Sequence, residues 1–157
     1  MPSRSADPEP HATGLTIVTD TIRVSTRGDA EMVDLTAQVA DVVRKHEFRE
    51  GQALVFVSGS TAALTTIEYE PGLIKDLPAA FERIAPKGLR YFHEDTWHDG
   101  NGHSHVRASL LGPSLTVPFC DGELLLGTWQ QIVLVDFDNR PRRRELVVQL
   151  TGARRGA

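Results

Sequence analysis

Apolar and polar positions alternate along most of this chain and fall into helical spacing in only two places. Between residues 15 and 26, Ile17, Val18, Ile22 and Val24 are interleaved with Thr19, Asp20 and Thr21. That β-branched alternation predicts one or two strands with a break near Asp20. The period changes over residues 32–46, where Met32, Leu35, Val39, Val42 and Val43 recur at helical spacing and Asp29 stands as an N-cap. An amphipathic helix is expected there. The continuous apolar run 53–57 that follows Gly51 has the character of a strand buried on both faces. Residues 62–69 make a further strand, and residues 72–85 a second helix that Pro78 either interrupts or restarts.

Residues 104–111 fit helix and strand equally well by pattern. Strands at 115–119, 124–126, 130–137 and 146–150 complete the chain. Asp121-Gly122 is a hairpin turn, and residues 138–141 supply the turn between the last two strands. Strands outnumber helices and no β-α-β alternation persists. The fold class expected is therefore α+β, a compact domain over residues 14–157 with a mixed or antiparallel sheet core and two or three helices. Residues 1–13 contain Pro2, Pro8 and Pro10 and no apolar periodicity, so they are expected to be a disordered extension.

Composition narrows the setting. The chain has 157 residues of which 40% are apolar, enough for one real core. A formal charge of -4 gives no global support for binding nucleic acid or an anionic membrane. Cys120 is the sole cysteine, which excludes an internal disulfide and an all-cysteine zinc site within one chain. No apolar run approaches the ~20 residues of a membrane span, and the first residues lack the apolar stretch of a signal peptide. The expectation is a cytoplasmic protein with neither nucleic-acid nor membrane partners.

Chemistry concentrates in residues 93–105, which hold four of the six histidines, three acids and two glycines. Imidazole and carboxylate together suit a divalent metal such as zinc or manganese. In an extended backbone His103 and His105 would share a face, and Asp99-Gly-Asn-Gly102 could fold the chain back onto His93. That gives a candidate metal set of His93, His103 and His105, with Glu94, Asp95 or Asp99 behind it. A solvated loop of hydrogen-bonding histidines is the plainer alternative.

Three further groups stand out. Ser58-Gly-Ser60-Thr61 follows a buried strand and can offer amides and hydroxyls to a phosphate, or serve as an ordinary connection. It lacks the lysine of a nucleotide-binding loop. Glu68 and Glu70 flank Tyr69 and could do acid–base work, or be surface carboxylates. Arg142 and Arg144 would share one face of the last strand, clamping a phosphate or standing in solvent. Trp129 with Gln130 and Gln131 interrupts an apolar strand pair and could line a pocket.

Taken together, three stretches resemble the YjbQ family, also called the secondary thiamine-phosphate synthase enzyme family. They are His98-Asp-Gly-Asn-Gly-His-Ser-His105, Arg107-Ala-Ser-Leu-Leu-Gly112 and Leu126-Gly-Thr-Trp-Gln-Gln131. The resemblance runs from about residue 15 to residue 152. It implies a β-sandwich-like core, a homotrimer and a site near the subunit contacts. The activity implied is transfer of a pyrimidine from its pyrophosphate to a thiazole phosphate, releasing pyrophosphate. Positions matching the family pattern are Glu68, His93, Asn101, His105, Gly127, Trp129, Gln130 and Arg144. The His-Thr pair of many relatives reads Gly59-Ser60 here.

On this reading His93 and His105 hold a divalent metal (Zn, Mg or Mn) or act as acid and base. Asp99 and Asn101 orient them, and Glu68 is a second acid–base group. Ser60, Thr61, Gly127, Trp129, Gln130, Arg142 and Arg144 receive a small phosphorylated molecule. Two alternatives stay open: a trimeric metal- or small-ligand-binding protein without catalysis, and a metal-dependent hydrolase.

Overall fold

In the computed structural model, which describes residues 14–154, eight strands and four helices follow one another in the order β1 (Thr16–Thr26), β2 (Glu31–Asp34), α1 (Thr36–Lys45), β3 (Phe48–Val57), β4 (Ala62–Ile67), α2 (Leu73–Ile84), α3 (Glu94–Trp97), α4 (Gly102–Leu111), β5 (Ser114–Cys120), β6 (Glu123–Leu124), β7 (Gln131–Asp136) and β8 (Arg142–Arg154). Five strands form one sheet in the order β1-β8-β3-β5-β6, and three form a second in the order β2-β7-β4. Every pairing is antiparallel. The α+β expectation holds. The extension expected over residues 1–13 lies outside the described residues.

The smaller sheet is the middle layer. Ile132 and Leu134 of β7 face the larger sheet and α1, meeting Val55, Leu146, Val148 and Val39. The alternate residues Val133 and Val135 face the other way, toward Phe81 of α2 and Ala108 of α4. A strand covered on both faces buries every side chain, and β7 is buried from Ile132 to Asp136. That description was expected of the 53–57 run instead. In β3 only alternate residues are buried from Ala53 to Val57, and Phe56 is 38% exposed, because none of the described residues covers the outer face of the larger sheet.

Other elements also differ from the sequence reading. No break occurs at Asp20: β1 runs unbroken for 11 residues, and the Asp20 carboxylate accepts hydrogen bonds from Lys45 and the Thr21 amide. The helix expected from residue 32 begins at Thr36. Met32 and Val33 belong to β2, drawn into the middle sheet by pairing with β7. Asp29 is no cap; it sits in a turn at φ 59. Asp34 serves the helix start, accepting from the Thr36 amide at 2.8 Å and hydroxyl at 2.6 Å. Pro78 lies within an uninterrupted α2. Residues 94–97 add a short helix, and the stretch left open between helix and strand becomes α4, so four helices stand among the described residues where two or three were expected.

Two turns join strands at opposite ends of the larger sheet's course. Asp121-Gly122, at φ 54 and 82, closes the β5–β6 hairpin as expected. The turn over residues 138–141 does join β7 to β8, but it carries the chain from one sheet to the other. The loop before β2 presses against that corner. The Asp29 amide donates to the Asp138 carbonyl at 2.7 Å, and a Cβ on Gly28 would stand 2.3 Å from the same oxygen. Gly28 also has φ 82. Gly28→Ala therefore combines a backbone clash with a left-handed conformation, and should cost about 2–4 kcal/mol, read as a lower urea midpoint with an unchanged slope.

Candidate functional site

The sheet-to-sheet corner is charged and buried. Asp136 ends the apolar run of β7 and Asp138 opens the turn after it, and both are fully buried. Arg144 spans Asp136 with two bonds, Nε to Oδ2 at 2.7 Å and Nη2 to Oδ1 at 2.6 Å, and also donates to the Thr61 hydroxyl at 2.8 Å. Thr26, at the end of β1, donates to Asp136 at 2.5 Å. Thr61 and the Arg142 Nε each donate to Asp138 Oδ2 at 2.8 Å. Burial pushes the Asp138 carboxyl up, but those two bonds and the charges of Arg142 and Arg144 together hold it below its ordinary value. Arg142 and Arg144 do share the inner face of β8, as expected, but their charges are already matched by carboxylates.

The histidine segment folds down onto this corner. One helical turn, α3, ends at His98 in the left-handed region, and residues 99–101 reverse the chain into α4. The Glu94 carboxylate closes the reversal by accepting from the amides of Gly100 at 2.6 Å and Gly102 at 2.8 Å. It thus serves the exposed amides at the start of α4, and those bonds lower its pKa. Ser104 donates to the Phe137 carbonyl at 2.6 Å, and the Asn139 amide donates to the Asp99 carbonyl at 2.8 Å. Arg107, 2% exposed, ties the same helix to the end of α2 through the Ala85 carbonyl and Glu82.

A helical backbone over residues 102–111 undoes the shared face expected of His103 and His105. Residues two apart on a helix point to nearly opposite sides. The His103 ring, 5% exposed, turns toward Tyr91 at 6.2 Å between centroids. His105 turns toward His93, with ring centroids 4.2 Å apart. The set of His93, His103 and His105 is therefore not assembled around a common point. Among the described residues, no group of three or more His, Cys, Asp or Glu side chains is placed to hold a metal ion.

What this part of the fold does hold is a set of unpaired polar atoms. His93 Nε2, Asn101 Oδ1 and Asp138 Oδ1 are buried and make no hydrogen bond within the chain. The nearest acid to His93 Nε2, Asp99 Oδ1, stands at 3.6 Å, beyond hydrogen-bond reach. Buried polar groups are nearly always paired, so each of the three calls for a ligand or a water. His105 borders the adjoining groove of about 360 Å³ together with Gly59, Ser60, Ala62 and Ser109. Nη1 of Arg144 lies 3.1 Å from where a Cβ on Gly59 would be.

Burial lowers the pKa of both His103 and His105, helped by the Arg107 charge for His103 and by His93 for His105. The unfolded chain therefore takes up these protons at higher pH than the folded one. Stability from this source is intact above the unfolded histidine value and is lost as pH falls from there through the lower folded values. Acidifying below the ordinary value of 6.5 should thus lower the urea midpoint, and His103→Gln should flatten that slope.

Four expected residues lie elsewhere. Glu68 is exposed and follows the end of β4 opposite to Thr61, about 20 Å along a six-residue strand. Gly127, Trp129 and Gln130 form their own group at that end. The Gln130 side chain accepts from the Gly127 amide and donates to the Thr66 hydroxyl, both at 3.1 Å, while Trp129 is 71% exposed. Glu70, expected beside Glu68 on a strand face, instead accepts from the Gly72 and Leu73 amides that open α2. Asp136 and Asp138 were not singled out from the sequence. Their signal was there: two acids at alternate positions ending an apolar run, each matched by an arginine further on.

Comparison with known proteins gives a consistent result. A family model described as UPF0047 protein YjbQ-like matches residues 20–153. A UPF0047 protein of Archaeoglobus fulgidus is 38% identical over 128 residues, covering 82% of this chain and 97% of that one. The UPF0047 protein YugU of Bacillus subtilis is 32% identical, with 84% and 98% covered. Among solved structures, a YbjQ-like protein of unknown function from Sulfolobus solfataricus P2 superimposes with a TM-score of 0.83 at 35% identity, covering 88% of this chain and 99% of that one. No helix among the described residues is long and apolar enough to cross a membrane. With the family model matched over residues 20–153 and relatives more than 30% identical over most of its length, the chain belongs to the YjbQ-like UPF0047 family.

Proposed function

We propose that this chain is a cytoplasmic transferase of the thiamine-phosphate synthase type, acting on a small phosphorylated molecule in the groove that His105 borders beside His93. The observation that carries this reading is the trio of buried, unpaired polar atoms on His93, Asn101 and Asp138 beside an open groove. In such a transfer the carbon–oxygen bond to pyrophosphate breaks and its electron pair leaves on oxygen. The ring nitrogen of the acceptor uses its lone pair to form the new carbon–nitrogen bond. The protein's work is to hold the leaving group, exclude water and align the acceptor. His93 and His105 are the donors for the departing oxygen. Gly59, Ser60 and Arg144 Nη1 receive the phosphate end at the rim.

The working unit in this proposal is a homotrimer, in which the distant group of Glu68, Gly127, Trp129 and Gln130 completes a neighbour's cleft. The uncovered outer face of the larger sheet supports self-association. Its cross-strand rows through Val147 and Phe56, Gln149 and Leu54, and Thr151 and Gln52 hold no charged side chain across β1, β8, β3 and β5. Light scattering should give three times the chain mass of 17.3 kDa. Pyrophosphate release from a pyrimidine pyrophosphate, dependent on the thiazole phosphate, tests the chemistry. No release above a chain-free blank would reject it.

A further inference from the structure

The two sheets part between β4 and β5, leaving a groove of about 360 Å³. Among the described residues β4 ends its sheet, and β6 pairs with β5 only at Phe119 and Cys120, so both walls are strand edges. Alternate residues of a strand send their amide and carbonyl to the same side. The Thr61 carbonyl accepts from the Phe137 amide and the Pro113 carbonyl from the Val57 amide, both at 2.9 Å. Odd-numbered residues of β4 and β5 therefore serve the ladders to β7 and β3. Even-numbered ones face the groove: the Leu64 amide donates to the Gly112 carbonyl at 3.0 Å, and the Pro118 carbonyl accepts from the Leu125 amide at 2.9 Å. That leaves the amides and carbonyls of Thr66 and Thr116, both in the groove wall, without a backbone partner among the described residues.

An open edge invites pairing with another chain, and proteins commonly blunt it with charge. Here no described residue that lines the groove carries a charged side chain, and Leu64, Leu115, Val117 and Leu126 give it an apolar lining. Pro118 fits such an edge, because the N–H it lacks would point away from the β3 ladder. Main-chain donors and acceptors on both walls, with no charge to select a charged group, match an extended main chain. We infer that this groove is a docking site for an extended, uncharged segment of a partner protein, which enters as an added strand bonded to Thr66 and Thr116. The side chains that such a segment turns inward are apolar, to meet Leu64 and Leu115, and alternate with those it turns outward. Docking here does not depend on the chemistry at the histidine corner.

The test uses the full-length protein and two neutral probes, acetyl-Thr-Val-Thr-Val-Thr-amide and the same peptide N-methylated at its central residues. Calorimetry should find the first bound about tenfold more tightly, since methylation removes the donors an added strand needs. Thr66→Pro and Thr116→Pro each delete one groove-facing amide and no ladder bond, and should weaken binding to a similar degree. Thr66→Val loses the hydroxyl that accepts from Gln130 at 3.1 Å but keeps the amide, and should bind as the parent does. Thr116→Pro carries the test if Thr66→Pro does not fold, since the same edge already accommodates Pro118. No binding of the first peptide, equal binding of both, or binding that survives the proline changes overturns the inference. Loss of binding in Thr66→Val overturns it too, by placing recognition in the side chain. Failure of the peptide together with a lower mass of the proline variants by light scattering also overturns it, and gives the groove to a second copy of the chain.

Discussion

Arg144→Ala is expected to remove about 3–5 kcal/mol of folding stability, a large part of the margin of a domain this size. The reason is what it leaves behind. Asp136 is fully buried and accepts two of its hydrogen bonds from Arg144, at 2.7 and 2.6 Å. Without the guanidinium it keeps only the Thr26 hydroxyl and the Asp138 amide. Those two neutral donors do not balance a full charge away from water, so the carboxylate must take up a proton or draw water into the corner. Urea denaturation of Arg144→Ala, Asp136→Asn and the double variant closes a cycle. The double variant should be markedly more stable than the sum of the single losses implies, because the second change removes the stranded charge. A loss below about 1 kcal/mol for Arg144→Ala would show that the pair behaves like a solvent-exposed one, and that the corner is open.

That corner shows where reading the sequence succeeded and where it did not. Pattern alone located β1, the β3 and β4 runs, α2 and the β5–β6 hairpin, because each buries a plain apolar face or turns on a Gly with φ above zero. It did not locate α4. The buried side of that helix consists of Gly102, His103, Ser104, Arg107 and Ala108, so an apolar period has almost nothing to register. Met32 failed for a different reason: it fits the period of α1, but pairing with β7 claims it first. The candidate residues divide along similar lines. His93, Asn101 and His105 were visible by composition, and the structure brings them to one place. Asp136 and Asp138 were hidden in an apolar strand whose end only matters once β8 returns beside it. Glu68 lies near in sequence to Thr61 yet at the other end of β4, a separation that strand length dictates and composition does not disclose.

His105→Ala carries the largest expected effect on activity, a fall in turnover of about 10²–10³-fold in the pyrophosphate-release assay. The half-buried ring lies 4.2 Å from that of His93 and lines the groove, outside both apolar core clusters. Its loss should therefore leave the urea midpoint nearly unchanged while kcat and kcat/KM fall together, the pattern of a contact made in the transition state. A rise in KM with kcat preserved would reduce His105 to a wall of the binding groove. The same variant also tests the arrangement between subunits. Glu68→Ala copies, inactive because their neighbours' clefts are incomplete, can be unfolded and refolded together with His105→Ala copies. If one subunit supplies His105 and the next supplies Glu68, mixed trimers contain clefts in which both groups are intact, and activity returns. Should the mixture stay as inactive as its parents, the two residues serve the same cleft only within one chain or not at all. Full activity of Glu68→Ala by itself would instead make Glu68 a surface carboxylate, and the site would reduce to the histidine corner alone.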